Sequence, residues 1–128
     1  MLDFDLISRA TDDYWYDHEF LEVRHQMERF SPDEWADLER MCVVLPSETQ
    51  ERIAYVLGDI DCTATARILF RLCKSSARDT VLTASEALRG LSYEAVRAGA
   101  QSLCPTAHGS STNELLEWIV TATLRGDV

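Results

Sequence analysis

His18, Glu22 and His25 stand four and three residues apart, so one helix face can present all three. Two imidazoles and a carboxylate on one face are the donor set for a divalent cation, or the beginnings of an acid–base pair. No fourth ligand is adjacent in sequence, and Asp17, Glu19 and Arg24 around them form an ordinary charged helix face. Cys104 and His108 are another possible pair, but Pro105 lies between them in a loop-like stretch. There is no Gly-rich phosphate loop, HExxH or GxSxG motif, and Lys74 is the only lysine. Adjacent carboxylates carry little information in a chain with 22 acidic residues. The expectation is a protein that is not an enzyme, with no catalytic residue, no metal ligand and no cofactor.

Recognition chemistry is more concentrated. Asp12-Asp13-Tyr14-Trp15-Tyr16-Asp17-His18-Glu19 sets three consecutive aromatic residues among acids. Helical neighbours point about 100° apart, so the three rings cannot all face inward. Tyr and Trp anchor interfaces, and flanking carboxylates select a basic partner. The segment therefore predicts a partner-binding site of Asp12, Asp13, Trp15, Tyr16, Asp17 and Glu19, with Trp15 or Tyr16 at its centre. The competing reading packs Tyr14 or Trp15 against Trp35, with the acids favouring a helix N-terminus. A second acidic set, Asp33, Glu34, Asp37, Glu48, Glu51, Asp59 and Asp61, is expected near the hairpin turns and would extend the same face.

The charge is polarised along the chain. The net charge is −10, yet residues 1–64 hold 16 acids against 5 bases, a net of −11, and residues 65–128 hold 6 against 7, a net of +1. Such a distribution repels nucleic acid, whose phosphates require Lys and Arg, and speeds encounter with basic partners. No apolar run approaches the ~20 residues that span a bilayer. The opening MLDFDLISRATDD carries acids where a secretory signal carries basic residues, so the sequence predicts a cytoplasmic protein without a membrane partner. Cys42, Cys62, Cys73 and Cys104 are scattered singly near helical patterns and read as free thiols.

The elements that would position these residues are helices. Asp12 or Asp13 is expected to cap a helix reaching about Arg29, with Phe20, Val23, Met27 and Phe30 on its buried face. Ser31-Pro32-Asp33-Glu34, Ser47-Glu48-Thr49-Gln50 and Ser111-Thr112-Asn113-Glu114 read as capping boxes. Asp61 and Ser92 read as further caps, and Pro46 and Pro105 as stops. Apolar residues recur at helical spacing after each start, and no stretch alternates with period two. Gly99, inside the Ala-rich stretch after Ser92, predicts a close approach of two helices, because glycine within a helix costs about 1 kcal/mol relative to alanine.

The first helices of successive pairs start after Ser31, Asp61 and Ser92, spaced 30 and 31 residues apart. Similar endings recur at Val56–Ile60, Ala87–Leu91 and Leu124-Arg125-Gly126. Residues 1–128 are therefore expected to form one all-α domain of about seven helices: a capping helix over 1–30 and hairpins over 31–60, 61–91 and 92–126. They would stack as a short right-handed solenoid or pack as an irregular bundle.

The stretch Glu51–Leu91 resembles a HEAT repeat junction: a helix ending Leu57-Gly58, a short turn, an Ala/Leu-rich helix, and a helix ending Ala87-Leu88-Arg89-Gly90-Leu91. It departs from that pattern in lacking the proline frequent in HEAT first helices, and Arg78-Asp79-Thr80-Val81 only approximates the family's Asp-Val-Arg-like segment. A small, lone, acidic HEAT-like protein is similar in style to bacterial immunity proteins. That resemblance implies a cognate toxin as partner, a basic protein such as a nuclease, whose substrate cleft the acids would occlude. Eleven arginines against one lysine fit a GC-rich bacterial source. The alternatives are a DNA-mimic inhibitor of a nucleic-acid-handling complex, a HEAT-like scaffold subunit, and a helical-repeat enzyme of nucleic-acid repair, which would need a basic groove.

Overall fold

Side-chain caps mark the starts of some helices, while those that begin at Ser47 and Arg78 follow Pro46 and Ala77 without one. The computed structural model describes residues 2–124, which form eight helices with no strand among the described residues. They are α1 (Phe4–Arg9), α2 (12–28), α3 (Pro32–Cys42), α4 (Ser47–Leu57), α5 (Thr63–Leu72), α6 (Arg78–Gly90), α7 (Tyr93–Leu103) and α8 (Thr112–Leu124). The repeated ending at Arg125-Gly126 lies outside the described residues.

The N-terminal region is two helices where one was expected. Asp3 caps α1 by accepting from the Leu6 amide. Thr11, not Asp12 or Asp13, caps α2, its Oγ1 accepting from Tyr14 N at 3.2 Å. The Ser31–Glu34 box forms in both directions, each bond 3.2 Å. The Ser47 box does not form. Pro46 takes the cap position, which moves Ser47 inside the first turn. Gln50 instead turns back to donate to Cys42 O at 2.8 Å, satisfying a carbonyl at the end of α3. At the third box only half the pattern closes. Ser111 Oγ accepts from Glu114 N, while the Glu114 carboxylate takes Ser110 N at 2.8 Å.

Asp61 is not a helix cap. Cys62 holds that position for α5, and Asp61 Oδ1 accepts from Ser92 N at 2.9 Å and Ser92 Oγ at 3.0 Å. Ser92 in turn caps α7. One carboxylate thus ties the starts of two successive hairpins together, thirty-one residues apart.

First helices stack on first helices, α3 on α5 and α5 on α7. Second helices do the same, α4 on α6 and α6 on α8. α5 and α7 approach closely at Gly99, where a Cβ would lie 2.7 Å from Ala66 Cβ and 3.0 Å from Arg67 N. Between the two layers lie Leu38, Ile53, Leu57, Phe70, Leu88 and Leu115, all buried. Burying each such side chain stabilises the fold by about 1.5–3 kcal/mol. All four cysteines are free; Cys42 and Cys104 are buried, Cys62 and Cys73 partly so. Burial pushes the Cys42 thiol up to about 12. Among the described residues no helix is long and apolar enough to cross a membrane.

Candidate interaction surface

The aromatic segment sits on a defect in α2. Residues Trp15–Glu19 form a π-turn, closed by Phe20 N–H donating to Trp15 O, between α-helical Asp12–Tyr14 and Phe20–Glu28. In a regular helix each step of four residues overshoots a full turn by about 40°. Three such steps, from Trp15 to Glu19, Val23 and Met27, would carry the first residue about 120° from the last. The wider turn absorbs part of that drift, and all four side chains are buried.

This corrects two of the expected partner-binding residues. Trp15 is 0% exposed and meets Phe20 edge-on at 6.5 Å between ring centres, so it belongs to the core. Glu19 is 8% exposed. Burial, then the charges of Glu22 and Asp3, raise its carboxyl above the usual range. Trp35, the alternative packing partner, faces Phe30 at 5.2 Å between ring centres.

The residues beside them do reach the surface. Tyr16 is 51% exposed and Tyr55, on α4, is 47% exposed. Their rings meet edge-on at 85° with centres 5.3 Å apart, and Phe20 tilts against Tyr55 at 5.1 Å. Two helices from different parts of the chain thus contribute one aromatic ridge. On α4, Glu51 precedes Tyr55 by one turn on the same flank, and Asp59 follows in the turn after the helix. On α2, Asp13 and Asp17 are exposed beside Tyr14 and Tyr16.

Arginines hold the ridge in place from behind. Arg24 lies 6.0 Å from the Phe20 ring centre and reaches Glu28 at 3.4 Å and Asp59 at 3.5 Å. Arg52 donates through Nη1 to Ile7 O at 2.6 Å and Ala10 O at 2.7 Å, and through Nη2 to Asp12 at 2.9 Å. Asp12 and Asp59 are therefore already paired. Asp13, Asp17 and Glu51 have no ion-pair partner among the described residues, so their charge is directed outward.

The remaining acids are not gathered at this ridge. Asp33 is exposed in the first turn of α3, Asp37 pairs with Arg40, and Glu48 is exposed in the first turn of α4. Asp61 is committed to Ser92. Glu39, which the sequence did not single out, accepts from Arg67 at 2.6 Å and Arg71 at 2.7 Å. Burial alone would raise its pKa, but those two hydrogen bonds outweigh it and hold the carboxyl below its ordinary value. Among the described residues no group of three or more His, Cys, Asp or Glu side chains is placed to hold a metal ion. His18 packs on Tyr14, with ring centres 5.3 Å apart. His108 packs on Trp118 at 4.3 Å, and the Cys104 sulfur lies 3.5 Å from Thr106 Oγ1.

Tyr55 and Phe20 are the site residues that sequence reading missed. The Glu51–Tyr55 spacing was a usable signal, since an aromatic residue one turn from an acid on the same helix flank stands near the polar face. The fold and the ridge define an all-α domain with one acidic, aromatic face. No protein-family model, curated protein or solved structure matches the chain.

Proposed function

We propose that this chain is a recognition module that binds a basic protein through the Tyr16–Tyr55 ridge, acting in the cytoplasm as an immunity protein against a cognate bacterial toxin. The observation that carries the reading is the pairing of two half-exposed tyrosines with the outward carboxylates of Asp13, Asp17 and Glu51. Tyrosines offer large, rigid contact area at low entropic cost, and unpaired carboxylates at the rim steer a cationic surface toward them. Stacked hairpins of about thirty residues supply a stiff, HEAT-like support. Neutralisation is by stoichiometric occlusion, the acids pairing with Lys and Arg of the toxin's substrate cleft. The test titrates the chain into the purified product of the gene immediately upstream and follows that protein's activity. Complete inhibition at an equimolar ratio is expected; undiminished activity at excess chain would overturn the reading.

A further inference from the structure

The protein's one lysine stands in an unusual place for so acidic a chain. Lys74 follows α5 and is exposed, with no carboxylate partner among the described residues. Desolvation, and after it the charge of another cation, Arg71, lowers its pKa. Arg71 is itself held by Glu39, but only through Nε at 2.7 Å. Its two terminal amino groups have no hydrogen-bond partner among the described residues. Glu39 is shared with Arg67, so a single carboxylate serves two arginines, and Lys74, which feels the charge of Arg71, adds a further cation in a chain of net −10.

Arg71 and Lys74 border a cavity of about 530 Å³ lined also by Ser47, Ser75, Ser76 and the apolar Val43, Leu45 and Leu72. Its polar wall is rich in donors. The Ser75 hydroxyl oxygen accepts from Ala77 N at 3.0 Å, which leaves its proton to donate. The Gln50 amide is turned away toward Cys42 O. Asp79, in the first turn of α6, is not part of the lining. Two cations and several hydroxyl donors around one space are a set that a multiply accepting, tetrahedral anion satisfies. The apolar flank offers contact to an organic remainder.

We propose that this cavity is a binding site for a phosphate-bearing small molecule, separate from the aromatic ridge. Lys74 and the free amino groups of Arg71 hold the phosphoryl oxygens, and Glu39 fixes Arg71 in place by its Nε. The test is a 1H–15N correlation titration of the full chain with inorganic phosphate, with sodium chloride and sodium acetate at matched ionic strength as parallel arms. Saturable shifts confined to the amides of Arg71 and Lys74–Ala77 and their cavity neighbours are expected with phosphate. Lys74→Gln, an exposed change that leaves the fold intact, should weaken that binding about tenfold, the effect of one charge-assisted hydrogen bond. Ser76→Ala should weaken it less. Shifts that never saturate, or that spread equally over Arg9, Arg29 and Arg97, overturn the site. Acetate binding as tight as phosphate, or unchanged binding in Lys74→Gln, overturns the assignment of the ligand or of its principal contact.

Discussion

Arg52 spreads its guanidinium over Trp15, 5.4 Å from the ring centre, while its amino groups take Ile7 O in α1, Ala10 O just beyond it and the first carboxylate of α2. One side chain from α4 therefore closes the end of one helix, opens the next and covers the buried ring. Its side chain is only 15% exposed, so the two carbonyl contacts are partly shielded from water, while the Asp12 carboxylate remains exposed.

Arg52→Ala should destabilise the fold by about 2–4 kcal/mol, because two carbonyls lose a charged donor and Trp15 loses its cover. Arg52→Lys should recover little of this, since one ammonium cannot serve three acceptors in a fork. Urea unfolding measures both. A midpoint shift in Arg52→Ala no larger than that of a surface arginine such as Arg97→Ala would contradict the clamp.

Gly99 and Gly90 should respond in opposite directions to alanine. At Gly99 the new Cβ would stand 2.7 Å from Ala66 Cβ and 3.0 Å from the Arg67 backbone, which cannot rotate away. The gain of about 1 kcal/mol in helix propensity is then outweighed, and a net loss of about 1–2 kcal/mol is expected. At Gly90 the nearest atom is Gly58 O at 3.9 Å, ordinary contact. Gly90→Ala should stabilise by about 0.4–1 kcal/mol. Thermal melts of the two variants check the pair.

Gly99 and Ser31 show what a sequence can reveal about such a fold. Both signals are local: a glycine where alanine is favoured, and a cap three residues from its acid. Asp61 and Ser47 misled for different reasons. Asp61 serves a partner brought in by the fold, Ser92, thirty-one residues away, whereas at Ser47 the adjacent Pro46 takes the cap position. The site was half legible. Three adjacent aromatics required exposure of some ring, and Tyr14 and Tyr16 are the exposed ones. Which ring turned inward was decided by the π-turn, a register change with no local signature. Tyr55 became part of the ridge only because α2 lies across α4.

Two carboxylates should pull stability in opposite directions with pH. Glu19 has its pKa raised above the ordinary value of 4.5, so its contribution is fully present below that value and is lost as pH rises through the folded-state pKa. Glu39 is lowered, so its contribution is present above 4.5 and lost as pH falls through the folded-state pKa. Glu19→Gln should therefore raise Tm at pH 7 by about 2–5 °C and leave it nearly unchanged near pH 3. Glu39→Gln should lower Tm at pH 7 by a similar amount, with the difference shrinking in acid. Melts across this range that shift in the same direction for both variants would contradict the two assignments.

The central claim is that the Tyr16–Tyr55 ridge and its free carboxylates make the contact, and binding kinetics test it most directly. The measurement is surface plasmon resonance with the upstream gene's product on the wild type, on Tyr55→Ala, and on Asp17→Lys combined with Glu51→Lys. Wild-type affinity should fall as salt rises, because rim charges are screened over about 8 Å at physiological ionic strength. The charge reversals should mainly slow association, and Tyr55→Ala should raise the dissociation rate at least tenfold, as loss of a central aromatic anchor does. All these side chains are at least partly solvent-exposed, so circular dichroism should be unchanged. Binding that is independent of salt and survives both variants would contradict the account.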